Sequence, residues 1–306
     1  MTVRLLGDVG ATNARFALSD PGHRPGVAIV HTCERYQGLE QAVEACLEEV
    51  GSIVRPTEAA FAVAAAVTGD IVTMTNHPWR FSVSEIKDKL RLDRLTVIND
   101  FTAIALSLPW LEAGDRQQIG CGSAVAGHPL GVLGPGSGLG VSGLIPTKSG
   151  WVPLAGEGGH TEFAPQTERE VGIFRTLGGP DRHLSLERLL SGPGLTAVHR
   201  ALTGECLDGA EPITKRALAG ERTARETITV FSEILGAAAG NLALTLGARG
   251  GIFIAGGIVL KLGHCFDEIA FRRRFERKGR MSSYLTGIPT YLITTEYPAL
   301  IGLANY

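Results

Sequence analysis

No Cys-x-x-Cys pair occurs anywhere in the chain. The five cysteines, Cys33, Cys46, Cys121, Cys206 and Cys265, are scattered. That spacing argues against a structural zinc site, and the odd count against a disulfide framework. Charge of one sign is also lacking. The 29 Lys and Arg nearly balance the 31 Asp and Glu, for a net charge of −2. Such a chain has no electrostatic footprint for nucleic acid or an anionic membrane, and neither is expected as a partner. Long apolar runs are missing too. Ala59 to Val67 is the longest, far short of the roughly 20 residues of a membrane span. Val3 to Leu6 is too short for an export leader and runs into Gly7-Asp8. A reduced, soluble, cytoplasmic protein is expected.

Glycine is what the chain has in excess, 40 residues of 306, and it is clustered. Clustered glycine marks backbone that turns tightly or approaches a ligand closely. With 44% hydrophobic and 20% charged residues the composition is that of a globular protein. The length suffices for two domains.

Alternating and apolar runs predict strands at Val3 to Leu6 and Ala14 to Leu18, joined by a glycine turn from Gly7 to Asn13. A helix is predicted at Leu39 to Val50, a strand at Ala59 to Val67, and a helix at Glu85 to Leu90 capped by Ser84. The strand Leu95 to Ile98 meets Asn99-Asp100 and then a helical stretch from Thr102 to Leu108, stopped by Pro109. Gly114 to Gly127 suits a hinge or domain entry. Leu130 to Leu144 repeats the opening theme around Gly134 to Gly140, and Leu6-Gly7 superposes on Leu133-Gly134, which suggests two related halves. Beyond lie a helix near Leu184 to Leu190, a stop at Ser191-Gly192-Pro193-Gly194, a long helix at Thr223 to Leu246, and strands at Ile252 to Ala255 and Tyr291 to Thr294.

A carboxylate at a strand-to-helix junction can accept a proton from a bound hydroxyl. Asp100 stands there, and the competing reading makes it a helix cap. The first turn, with Gly10, Ala11, Thr12 and Asn13, offers backbone N–H groups to an anionic oxygen. Asp8 beside it suits a magnesium ion, directly or through water, or is simply part of a hairpin loop. The second turn, with Gly136, Ser137 and Gly138, carries a hydroxyl but is no Walker loop, since no Lys-Ser/Thr follows. Gly256-Gly257 forms a third glycine pair. Glu157 and His160 suit hydrogen bonds to neighbouring hydroxyls. They read equally as surface groups, and a metal site there lacks a third ligand nearby. Glu187 alone reads as a solvated carboxylate.

Several ordered segments are similar to bacterial glucokinase. They are Gly7-Asp8-Val9-Gly10-Ala11-Thr12-Asn13-Ala14-Arg15, Met74-Thr75-Asn76-His77-Pro78-Trp79, Ile98-Asn99-Asp100-Phe101-Thr102-Ala103, Gly134 to Gly140 and Gly156-Glu157-Gly158-Gly159-His160. Leu189 to Leu195, Gly240 to Leu244 and Phe253 to Ile258 extend the match in the same order. The resemblance implies an α/β fold of two domains, actin-like (ribonuclease H-like), with the active site in an interdomain cleft. The small domain would be 1–110 plus 299–306 and the large one 111–298. It further implies transfer of phosphate from ATP, with Mg2+, to the 6-hydroxyl of glucose in a cytoplasmic homodimer. Asp100 would be the general base, ionised at neutral pH. Asn99, Asp100, Glu157, His160 and Glu187 would hold the sugar. Asp8, Gly10, Ala11, Thr12 and Asn13, with Gly136, Ser137, Gly138, Gly256 and Gly257, would hold the nucleotide.

Three departures from the family pattern stand out. Ala11 replaces a second glycine, Ser137 a threonine, and Leu260 a proline. The last residues, Ile301 to Tyr306, start like the family's terminal helix and then stop, so that helix is expected to fray. The alternatives are a kinase of another hexose, a sugar-responsive regulator on the same fold, which would need a helix-turn-helix, and an actin-type ATPase without the hydroxyl-binding set.

Overall fold

The computed structural model describes residues 3–20, 22–51, 55–179 and 181–306. The chain forms two compact units, Met1–Glu112 with Thr295–Tyr306, and Ala113–Thr294.

The first unit contains β1 (Arg4–Val9), β2 (Asn13–Ser19), β3 (Ile29–Thr32), α1 (Leu39–Val50), β4 (Glu58–Val63), β5 (Ile71–Thr73), β6 (Arg80–Ser82), α2 (Val83–Lys89), β7 (Arg94–Asn99) and α3 (Asp100–Ser107). Its main sheet runs β3-β2-β1-β4-β7. β1, β4 and β7 are parallel, and β2 and β3 continue antiparallel from β1. The central β4, Glu-Ala-Ala-Phe-Ala-Val, is buried on both faces, as a parallel strand covered by helices must be.

The second unit contains β8 (Arg116–Ile119), β9 (Leu130–Pro135), β10 (Leu139–Thr147), β11 (Gly150–Ala155), α4 (Glu168–Leu177), α5 (Gly192–Thr203), α6 (Glu211–Leu218), α7 (Arg222–Leu246), β12 (Gly251–Ile254), α8 (Gly257–Leu262), α9 (Glu268–Glu276), α10 (Ser282–Thr286) and β13 (Thr290–Ile293). Its sheet runs β11-β10-β9-β12-β13-β8. The first five repeat the order and directions of the other sheet, and β8 is added antiparallel at the edge. The internal repeat is thus real, but its register differs from the expected one. Counted back from the two turns, Gly134, opposite Gly140, matches Asp8, opposite Arg15, and not Gly7. A one-residue shift exchanges the faces of a strand.

α7 is long and apolar enough to pass for a membrane span, with a mean hydropathy of 1.4 over its most apolar window. Two thirds of that window is buried within the protein, where α7 is the core helix of the second unit. Its small residues let α9 lie close. A Cβ on Gly240 would come 2.6 Å from the Phe275 carbonyl, and one on Gly236 would overlap that of Phe271.

The closing helix α11 (Pro298–Ala304) belongs to the first unit. The expected fraying is not found. Ala299 to Ala304 are all buried, and a Cβ on Gly302 would overlap the Ala103 carbonyl of α3. Burial against α3 supplies what helix length does not. Three further expectations are corrected. Ser82, not Ser84, caps α2 by accepting from the Glu85 N–H, because Ser84 follows the first helical residue. Residues 184–190 form no helix, since their backbone bonds to residues 159–163 instead: Leu186 N–H to Thr161 O, Glu187 N–H to Gly159 O. Ser191-Gly192-Pro193-Gly194 is a start rather than a stop. Ser191 caps α5 from its hydroxyl, and Pro193 sits in the first turn, where no N–H is needed.

Gly302→Ala is expected to lower stability by about 1–3 kcal/mol, read as a fall in the denaturation midpoint with unchanged slope. A neutral outcome would mean that α11 is not seated on α3.

Candidate active site

β1 runs through Gly7-Asp8 to Val9, so Asp8 is a strand residue and the turn shrinks to Gly10-Ala11-Thr12. The antiparallel ladder persists to Val9 opposite Ala14, which leaves no longer loop. No residue of this turn takes a positive φ, against expectation, so the methyl of Ala11 is accommodated without strain. The Gly10 N–H is taken by Asn13 O (3.0 Å). Cys33 braces the turn from outside, its N–H on Thr12 O and its thiol on Gly10 O. Arg15, opposite Asp8, lies 3.5 Å from its carboxylate and stacks over the Tyr297 ring.

At the end of β7 the two polar residues divide their work. Asn99 is the cap of α3, its Oδ1 accepting from the Phe101 and Thr102 N–H groups. Asp100 is therefore not the cap. Its Oδ1 accepts from the Phe101 N–H and from Asn99 Nδ2, both at 2.9 Å. Burial, then the like charge of Asp8, raise its carboxyl to about 7 against these hydrogen bonds. Asp8 is raised as well, by burial opposed by Arg15. The expectation that Asp100 has an ordinary carboxylate pKa is corrected: it titrates near neutrality, where a general base works best.

In the second unit three expected elements meet. Glu187, in the turn before α5, is partly buried rather than solvated, and its carboxylate accepts from the Leu139 N–H (2.9 Å). Its own N–H donates to Gly159 O. Glu187 thus ties the second glycine turn (Gly136-Ser137-Gly138) to the Gly158–His160 turn. Glycine is required at both contacts. A Cβ on Gly138 would overlap the Glu187 carboxylate, and one on Gly159 the Leu139 carbonyl. Glu157 and His160 flank this short helical turn and are exposed. Among the described residues no group of three possible metal ligands occurs.

Gly256, at φ +87°, caps α8 with its α-carbon against the Pro135 carbonyl, where a side chain would overlap. The Gly192 N–H donates to Gly136 O (2.9 Å). Between these ends lies a cavity of about 610 Å³ lined by Gly136, Ser137, Gly192, Gly257 and Ile258, with Leu195, Ala210, Glu211, Thr214 and Lys261. The last five were not foreseen. Read along the chain they are ordinary helix residues, and only packing brings them to the glycine turns.

The glucokinase family model matches residues 5–306. A glucokinase of Aromatoleum aromaticum is 50% identical over 99% of this chain and 93% of its own length. One of Chromobacterium violaceum is 51% identical over 99% and 88%. The crystal structure of a glucokinase from an Antarctic psychrotroph superposes with a TM-score of 0.88 at 34% identity, covering 100% of this chain and 98% of that one. The chain belongs to the glucokinase family. Its fold is the two-domain α/β, actin-like sugar-kinase fold, and its activity is phosphorylation of glucose, with ATP as the other substrate. Glucokinase membership removes the regulator and the sugar-independent ATPase as alternatives.

The raised Asp100 carboxyl has a consequence for stability. The folded chain keeps this proton up to about pH 7, the unfolded chain only to about 3.8. Between these values the native state binds the extra proton, so stability falls as pH rises and the penalty is complete above 7. Asp100→Asn keeps Oδ1 and removes the charge. The variant should exceed the native protein in stability at pH 8 by roughly 1–4 kcal/mol, with the difference vanishing near pH 4. Urea titrations at both pH values measure it.

Proposed function

We propose that Asp100 is the general base that accepts the proton of the glucose 6-hydroxyl as the phosphoryl group arrives, giving glucose 6-phosphate. The observation that carries this reading is the division of labour at the end of β7. With Asn99 committed to the helix N–H groups, the Asp100 carboxylate has capacity left for a substrate hydroxyl, and its pKa of about 7 suits proton transfer. Asn99, Glu157, His160 and Glu187 are the sugar-hydroxyl contacts. Glu187 is held by two backbone bonds, and such preorganised polar groups reject ligands that leave them unpaired.

The first glycine turn, Gly10 to Asn13, and the second, Gly136 to Gly138, hold the phosphates. The cavity beside Gly256-Gly257 receives the nucleoside, a use favoured by its apolar Leu195, Ala210 and Ile258 and its polar Glu211 and Thr214. Mg2+ fits Asp8. Two carboxylates that raise each other's protonation are relieved by a divalent cation, and a single carboxylate plus waters and phosphates is an ordinary magnesium environment. When bound, the ion neutralises phosphate charge. Residues 1–110 with 299–306, and 111–298, act as the small and large domains of a cytoplasmic homodimer, as the family resemblance implies.

Asp100→Asn is expected to lower kcat by about 10²–10⁴-fold while glucose still binds. A coupled ADP-release assay with a hexose panel, alongside glucose titration, measures both. Turnover above a tenth of the native value would remove Asp100 from this role. Asp8→Asn should raise the Mg2+ concentration for half-maximal rate at least severalfold at fixed ATP. An unchanged Mg2+ dependence would place the ion elsewhere.

A further inference from the structure

The first unit has a second cavity that the reaction does not use. It measures about 670 Å³ and is lined by Glu34, Tyr36, Gln37, Asn76, His77 and Trp79, with Pro78 and the Ala11-Thr12 rim. It includes neither Asn99 nor Asp100.

Its walls are fixed by hydrogen bonds. The Trp79 indole N–H donates to Tyr36 O (3.2 Å), and the Tyr36 hydroxyl meets His31 Nδ1 (2.7 Å). His77 Nδ1 accepts from the Trp79 backbone N–H, and its ring stands edge-on to the indole at 4.8 Å. Nδ1 as acceptor leaves Nε2 as the N–H donor of a neutral imidazole. Glu34, Gln37 and Asn76 are exposed, and Glu34 has no ion pair among the described residues.

The lining therefore holds two aromatic rings, a proline, two amides, an imidazole, a hydroxyl and one carboxylate, and no cation. A phosphate or nucleotide has no counter-charge here and would meet Glu34. A cation would find a single carboxylate and too few oxygens in a fixed shell. Rigid aromatic surface beside carboxylate and amide groups suits a ligand with apolar C–H faces and hydroxyl edges. We propose that this cavity is a second binding site for a neutral hexose, occupied at higher glucose concentration than the site of reaction.

The test is calorimetric titration of glucose into the full chain without ATP. Two steps per chain are expected. In the double variant Glu34→Gln, Asn76→Ala the weaker step should be lost or its Kd raised at least about tenfold. The tighter step and kcat/KM at low glucose should stay within twofold, which also certifies folding. Glucose 6-phosphate, as a dianion, should bind the weaker site at least about tenfold less well than glucose. A single step in the native protein, a weaker step indifferent to the double substitution, or preferential binding of the phosphate ester would each overturn the proposal.

Discussion

A carboxylate kept out of water without a positive partner is the feature on which the first unit's chemistry depends. Asp100 is desolvated, faces the charge of Asp8 and is held by one backbone N–H and the Asn99 amide. Helix α3 would ordinarily draw such a side chain into its own first turn. Asn99 prevents this by taking the Phe101 and Thr102 N–H groups first. The Asn-Asp pair is thus one device in which the amide terminates the strand and starts the helix. The carboxylate carries the unrelieved energy of burial. Arg15 gives Asp8 a counter-charge at 3.5 Å and none comes as directly to Asp100.

The second unit is organised by close backbone approach rather than by charge. Pro135 O sits against Gly256, Leu139 O against Gly159, and Gly138 against the Glu187 carboxylate. A side chain at any of these glycines would separate segments that hydrogen bonds now join. Glu187 serves as the tie, reaching Leu139 with its carboxylate and Gly159 with its N–H. The glycine excess therefore has a specific meaning here. It is used less for left-handed turns, since neither Gly136 nor Gly138 has a positive φ, than for room.

The two sheets share their strand order and directions, and each opens with an antiparallel hairpin whose turn is glycine-bearing. That duplication was visible in Leu6-Gly7 and Leu133-Gly134, one residue out of register. Apolar pattern alone cannot fix where an antiparallel ladder ends. The ladder's last pairs, Val9 with Ala14 and Pro135 with Leu139, do so.

Local sequence determined the element types, the glycine turns and the family, because strand and helix periods and short motifs need no distant partner. It located α1 to the residue and β7 to within one, and it named Asn99, Asp100, Glu157, His160 and Glu187 together. What it left to the tertiary structure were properties of neighbourhoods. The Asp100 pKa depends on burial and on Asp8, 92 positions away, so its reference value misled. Residues 184–190 have helical composition, yet they bond to residues 159–163, which no local propensity can anticipate. Leu195, Thr214 and Lys261 became cavity walls, and Trp79 became one through Tyr36, only when separate elements packed. Periodicity is a one-dimensional signal, whereas desolvation, like-charge repulsion and cavity shape arise from atoms brought together across the chain.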